Sequence, residues 1–112
     1  MEAFSKLYDT NVLIEAKKKG KLLLEGCTTV INLVEYPKGA LLGLKVLYPS
    51  KKEYKLAFRI SEELMKRGTP IPRVDIIVAA VAIRRGLVLV TKDRHFEYIK
   101  EVVPELKLEL VD

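Results

Sequence analysis

The chain has 112 residues, 49% of them hydrophobic, a single cysteine and a net charge of +5. That length suits one small domain over residues 1–112, with enough apolar content for a real core and no room for a long linker. The lone Cys27 excludes an intramolecular disulfide scaffold, and the longest near-apolar run, VDIIVAAVAI, is too short for a bilayer and carries an aspartate. In chain order, KLY reads as a first strand that meets Asp9, and NVLIEAKKKG as a helix closed by Gly20. A short strand near Gly26 to Thr28 follows. TTVINLVEY reads as a helix capped by Thr28 or Thr29 and stopped before Pro37. LKVLY is a third strand. SKKE, from Ser50 to Glu53, is a capping box opening a helix to about Arg67, with Tyr54, Ala57, Phe58, Ile60, Leu64 and Met65 as its apolar stripe. Pro72 suits the first turn of a helix running to Arg85 and closed by Gly86. LVLVT is a fourth strand, a short helix follows Asp93, and LKLELV is the last strand.

Strands separated by helices imply an α/β fold: a central parallel sheet with helices on both faces, joined by right-handed crossovers. The working crevice of such a sheet lies beyond the carboxyl ends of the strands, where strand order reverses. If the first and fourth strands are neighbours there, Asp9 and Asp93 face each other. The N-terminus lacks a basic region followed by an apolar run, so no signal peptide and no membrane association are expected, and the protein is placed in the cytoplasm. Glutamine is absent and asparagine occurs twice. With abundant Lys and Glu, this composition has a thermophilic look. Cys27 reads as a small buried apolar residue.

Four acids interrupt apolar surroundings. Asp9 and Asp93 end strands, Asp75 sits in a helix apolar almost all round, and Glu35 lies in a helix where Val30, Ile31, Leu33 and Val34 are apolar, sharing a face with Asn32 three positions earlier. Each has a plain structural explanation: helix dipole for Asp75, solvent for Glu35, helix caps for Asp9 or Asp93. One shared site explains all four together. Converging carboxylates repel and take up protons unless a cation neutralises them. An all-oxygen set suits Mg2+ or Mn2+, and such a site can attack a phosphodiester. Arg73, Lys92 and Arg94 flank the acids and are candidates to hold an RNA backbone, or are ordinary solvated charges. Thr10, Asn11 and Thr91 either cap helices or orient groups at the site. His95 reads as a helix-surface residue, and Phe96, Tyr98 and Tyr36 as packing residues rather than base-stacking ones. The Thr10–Asn11 pair after Asp9 disfavours a receiver domain, which wants paired acids there, and a phosphatase with an aspartyl nucleophile, which wants Asp in place of Asn11.

The blocks YDTNVLIE, TVINLVEY, RVDIIVAAVAI and LVTKDRHF, in this order over nearly the whole chain, resemble a PIN domain, most closely the VapC-type toxins of toxin–antitoxin pairs. The resemblance implies a three-layer α/β/α fold and Mg2+- or Mn2+-dependent endoribonuclease activity. It also implies an acidic quartet of Asp9, Glu35, Asp75 and Asp93 holding metal and doing catalysis, with Asn11 and Thr91 in support. An antitoxin partner that blocks the cleft, and a homodimer, are further implications. The segment PKGALLG is shorter than in many such proteins, where another helix stands. Alternative readings are a PIN nuclease of RNA processing or decay, and a catalytically silent RNA- or protein-binding module.

Overall fold

The computed structural model describes residues 5–112. Five short strands form one parallel sheet: β1 (Lys6–Tyr8), β2 (Cys27–Thr29), β3 (Lys45–Leu47), β4 (Val88–Thr91) and β5 (Lys107–Leu110). Their order is β3-β2-β1-β4-β5. The chain therefore builds outward from β1 in one direction, then returns to lay β4 on the other side of β1. The β1/β4 boundary is the switch point at which a parallel sheet opens a crevice. Lys6, Leu7 and Tyr8 pair with Val88, Leu89 and Val90, so the two strands end level with each other.

Helices α1 (Thr10–Lys18), α2 (Val30–Glu35), α3 (Lys51–Lys66), α4 (Arg73–Arg85) and α5 (Phe96–Val102) complete the α/β/α architecture expected from the sequence. Strand side chains alternate between faces. Leu7, Cys27, Leu47 and Leu89 pack into the larger core with Ala57, Ile60 and Leu64 of α3, the run Val78–Ala82 of α4, and Phe96 and Ile99 of α5. Tyr8 turns to the other face, packing against Leu13, Ala16 and Leu42. Cys27 is buried in the larger core, as expected. Gly26 has φ +142°, and a Cβ there would lie 2.7 Å from the Lys6 carbonyl oxygen. Only glycine lets β2 start this close to β1.

Two capping boxes set the helix starts. Ser50 and Glu53 form the expected one at α3, and Thr29 with Asn32 forms a second at α2. Each such cap contributes roughly 0.5–2 kcal/mol. Gly86 closes α4 in the left-handed conformation, φ +66°.

Within the short PKGALLG segment, Pro37–Leu42 forms a 3-10 helix whose Leu42 is fully buried. One expectation needs correction: the stripe expected on α3 is only half core. Ala57, Ile60 and Leu64 are buried, with Glu53 in line beside them, while Tyr54, Phe58 and Met65 are exposed. Each exposed residue follows a buried one by one position, about 100° further round the helix, which carries it off the packed face. Among the described residues no helix is long and apolar enough to cross a membrane.

Candidate active site

The cleft at the switch point has a volume of about 390 Å³, and its lining includes all four interrupting acids: Asp9, Glu35, Asp75 and Asp93. Thr10, Asn11 and His95 share it, with Ile14, Pro72 and Val74 as an apolar wall.

Asp9 follows β1 and serves as the N-cap of α1, so the plain and the functional explanation of this residue are both true of it. Its Oδ1 accepts from the Thr10 amide at 2.9 Å and from Asn32 Nδ2 at 3.2 Å, and its Oδ2 accepts from the Thr91 hydroxyl at 2.8 Å. Asp93 stands two residues beyond β4. Its amide donates to Thr91 Oγ1 at 3.0 Å, and its Oδ2 accepts from Asn11 Nδ2 at 3.1 Å. Thr91 thus links both strand-end aspartates: it donates to one and accepts from the backbone of the other. Asn11 reaches across from α1 a second time, accepting from the Lys92 amide at 3.2 Å. These bonds tie the carboxyl ends of β1 and β4 together through side chains once the ladder has ended.

Glu35 is exposed at the end of α2 and is drawn to the cleft by the Thr10 hydroxyl, 2.7 Å from its Oε1. Thr10 in turn accepts from Asn32 Nδ2 at 2.9 Å. Asn32 is a site residue that the sequence reading passed over. Its Oδ1 accepts from the Thr29 amide and hydroxyl and its Nδ2 donates to Asp9 and Thr10, which fills all four of its hydrogen-bonding positions. A buried asparagine so fully engaged fixes where both acids stand. Its signal was present in the sequence: Asn32 shares a helix face with Glu35 and lies three residues after a capping threonine.

His95 corrects an expectation outright. It is not a residue of the helix surface. It precedes α5 and turns inward, with Nε2 2.8 Å from Asp75 Oδ2. Its ring lies 5.0 Å from that of the fully buried Phe96, which anchors the turn. Tyr98, one of the packing candidates, is 45% exposed. Asp75, in the first turn of α4, has a side chain only 15% exposed.

The electrostatics follow from this crowding. Burial raises the Asp75 pKa to about 6, the negative charges of Asp9 and Asp93 push the same way, and the His95 bond opposes them. Burial likewise raises Asp9, helped by Asp93 and Glu35 and opposed by its bonds from Thr91 and Thr10. Among the described residues, ligand atoms of Asp75, Asp93 and His95 lie within 4.8 Å of one another. Asp9 and Glu35 line the same cleft outside that set of three. Two carboxylates and an imidazole within reach of one point, with two more acids beside them, match the donor chemistry of a divalent cation site. Burial is the largest cause of both shifts, and the neighbouring carboxylates add to it.

The flanking cations lie at the rim or beyond it. Lys92 Nζ is 3.3 Å from Glu15 and keeps that carboxyl below its usual range. Arg94 is 3.7 Å from Glu97 in an exposed pair. Arg73 is exposed and lines a separate groove between α3 and α4 with Tyr54, Phe58 and Ile77. None of the three lines the acidic cleft.

By sequence, no family model and no curated protein matches the chain. Its structure does have near neighbours. VapBC2 from Rickettsia felis, bound to a DNA fragment from its promoter, matches with TM-score 0.78 at 22% identity, covering 96% of this chain and 98% of the other. DNA-bound VapBC from Salmonella typhimurium matches with TM-score 0.75 at 25% identity, covering 95% and 97%. VapBC-5 from Mycobacterium tuberculosis, a toxin–antitoxin system, matches with TM-score 0.71 at 21% identity, covering 96% and 99%. The chain therefore has the PIN-like fold that its four acidic blocks resemble, over nearly its full described length.

Proposed function

We propose that the protein is a Mg2+- or Mn2+-dependent endoribonuclease and the toxin of a toxin–antitoxin pair. The single observation that carries the chemistry is the meeting of Asp9, Glu35, Asp75 and Asp93 in one cleft, with buried acids held uncharged more readily than usual. Asp75 and Asp93 would hold the cation, with Asp9 and Glu35 completing its surroundings. A divalent cation bound there would polarise the phosphodiester and provide a nucleophile near neutral pH. The chain's own part is positional. Thr91 and Asn11 keep the strand-end aspartates in register, Asn32 and Thr10 hold Asp9 and Glu35, and Ile14, Pro72 and Val74 limit water at one wall. Lys92 and Arg94 exchange their exposed acid partners, contacts that water and salt screen, for RNA phosphates beside the scissile bond.

The VapBC neighbours support an antitoxin as the partner protein. A second copy of the chain would cover the exposed Tyr54, Phe58 and Met65 of α3, and sedimentation of purified protein tests for that dimer. For the activity, purified protein is incubated with structured cellular RNA in Mn2+, in Mg2+ and in EDTA, and the ends are mapped. Discrete cleavage that needs the cation and disappears in Asp93→Asn supports the reading. RNA binding that persists in EDTA with no cleavage in either metal assigns a silent binding module instead.

A further inference from the structure

We propose that His95 ligates the divalent cation directly through Nε2, making this a mixed nitrogen–oxygen site that favours Mn2+ over Mg2+. The inference rests on the metal-dependent reading above and adds to it the nature of the donor set.

Three features place His95 in the coordination sphere. The first is distance. Ions with ligand bonds of about 2.1 Å in an octahedron hold adjacent donors about 3 Å apart. Asp75 Oδ2 and His95 Nε2 stand 2.8 Å apart, so these two donors already span one such edge. The second is convergence: Asp93 contributes a third donor within the 4.8 Å that the set spans. The third is rigidity. The turn carrying His95 is pinned at both ends, by the Asp93 amide on Thr91 Oγ1 before it and by buried Phe96 against the ring after it. Asn11 occupies Asp93 Oδ2, which leaves the other oxygen of that carboxylate for the ion. Nε2 ligates with its lone pair, so the ring hydrogen of the bound form is on Nδ1. The competing arrangement keeps that hydrogen on Nε2 and uses it to orient Asp75 from outside the sphere.

The two arrangements differ in metal preference. Mg2+ is hard, keeps its waters and takes oxygen donors. Imidazole nitrogen improves a site for transition ions, whose affinities rise along the series from Mn2+. A nitrogen ligand therefore widens the Mn2+/Mg2+ ratio, and an orienting bond outside the sphere does not.

The test uses tag-free full-length protein, stripped with EDTA and titrated with Mn2+ alone. The chain has one histidine, so a histidine nitrogen signal has a single source. Electron spin-echo spectra of the Mn2+ complex are expected to show imidazole nitrogen modulation, and His95→Gln to abolish it while Mn2+ still binds. Calorimetry is expected to give about a tenfold loss of Mn2+ affinity in His95→Gln, with Mg2+ affinity changed less than about threefold. Mn2+ bound to the wild type without nitrogen modulation overturns the proposal and leaves the acidic site standing. So does an unchanged Mn2+/Mg2+ ratio in the variant. Absence of any Mn2+ binding to the wild type overturns the metal-dependent reading together with this one. The wild-type spectrum decides the question even if the variant does not fold.

Discussion

Among the described residues, acids are buried in two places, which treat them in opposite ways. At the joint between α3 and α4, the Glu53 side chain is only 1% exposed. Arg85 meets it with two hydrogen bonds, Nε at 2.7 Å and Nη2 at 2.9 Å, and also donates to the Tyr48 carbonyl. The Ser50 amide adds a third bond to the carboxylate, at 2.8 Å. Burial works against the charge, yet Arg85 and Ser50 hold the Glu53 carboxyl below its usual range. At the switch point, Asp9 and Asp75 are buried among other acids with neutral donors and one histidine for company, and both are raised. The first site is complete within the chain and clasps two helices. On the proposed function, the second is completed by a cation from outside, and perturbed acids gathered in a cleft are the kind of arrangement that marks a functional site.

The sharpest break of this comparison is chemical. Asp93→Asn keeps the shape and the Asn11 contact but removes a charge, and RNA cleavage is expected to fall on the order of 10³-fold or more while Glu53→Gln retains it. Single-turnover cleavage at saturating Mn2+ reads both. Equal losses in the two variants would erase the distinction between the sites.

Stability gives the converse. Arg85→Ala strands a buried carboxylate and is expected to cost about 3 kcal/mol, at the low end for a broken buried pair because Arg85 is partly exposed. Urea titration at pH 7 measures it. A loss well below about 1 kcal/mol would mean that water already serves Glu53.

Asp75→Asn is expected to do the opposite in the metal-free protein, raising stability at pH 7 by on the order of 2 kcal/mol. The sign follows from proton binding. A folded pKa of about 6 against an ordinary 3.8 favours the neutral acid in the folded state. That contribution is full below about pH 4 and is lost as pH rises through 6. Glu53 runs the other way, stabilising above its ordinary 4.5 and losing the effect as pH falls through its depressed folded value. Thermal melts from pH 4 to 7 in EDTA should therefore show the wild type weakening relative to Asp75→Asn across that window, and parallel curves would contradict the raised value. Saturating Mn2+ should reverse the ranking at pH 7, since it binds the folded wild type.

The smallest effect is at Thr91. Thr91→Val removes a buried donor to Asp9 and is expected to cost about 1 kcal/mol, with Asp9 raised further. Denaturation in EDTA measures the cost, and an unchanged midpoint would show that Asp9 already finds its proton elsewhere.

Much of this was legible in the sequence because it is local. Ser50 and Glu53 announce a helix start, Gly86 a helix end, and the alternation of short apolar runs with helical stretches announces a parallel sheet. Asp9 and Asp93 declared themselves as acids where strands should end in neutral residues. The stripe on α3 was misplaced because Ala57, Phe58, Ile60 and Met65 all fit a helical period, and only the neighbours select which side is packed. His95 was missed for a related reason: one histidine in a polar stretch carries no pattern, and its direction depends on a turn pinned by Thr91 and Phe96.

By itself, then, the order of residues determined the helices, the strands and which acids stood out of place, since these depend on neighbours a few positions away. The packed chain alone decided that β4 lies against β1, that Asp75 meets His95 across 20 residues, and that Asn32 reaches Asp9 across 23. Those meetings depend on how the sheet closes around its two cores, a property of the whole folded chain that no short window of sequence contains.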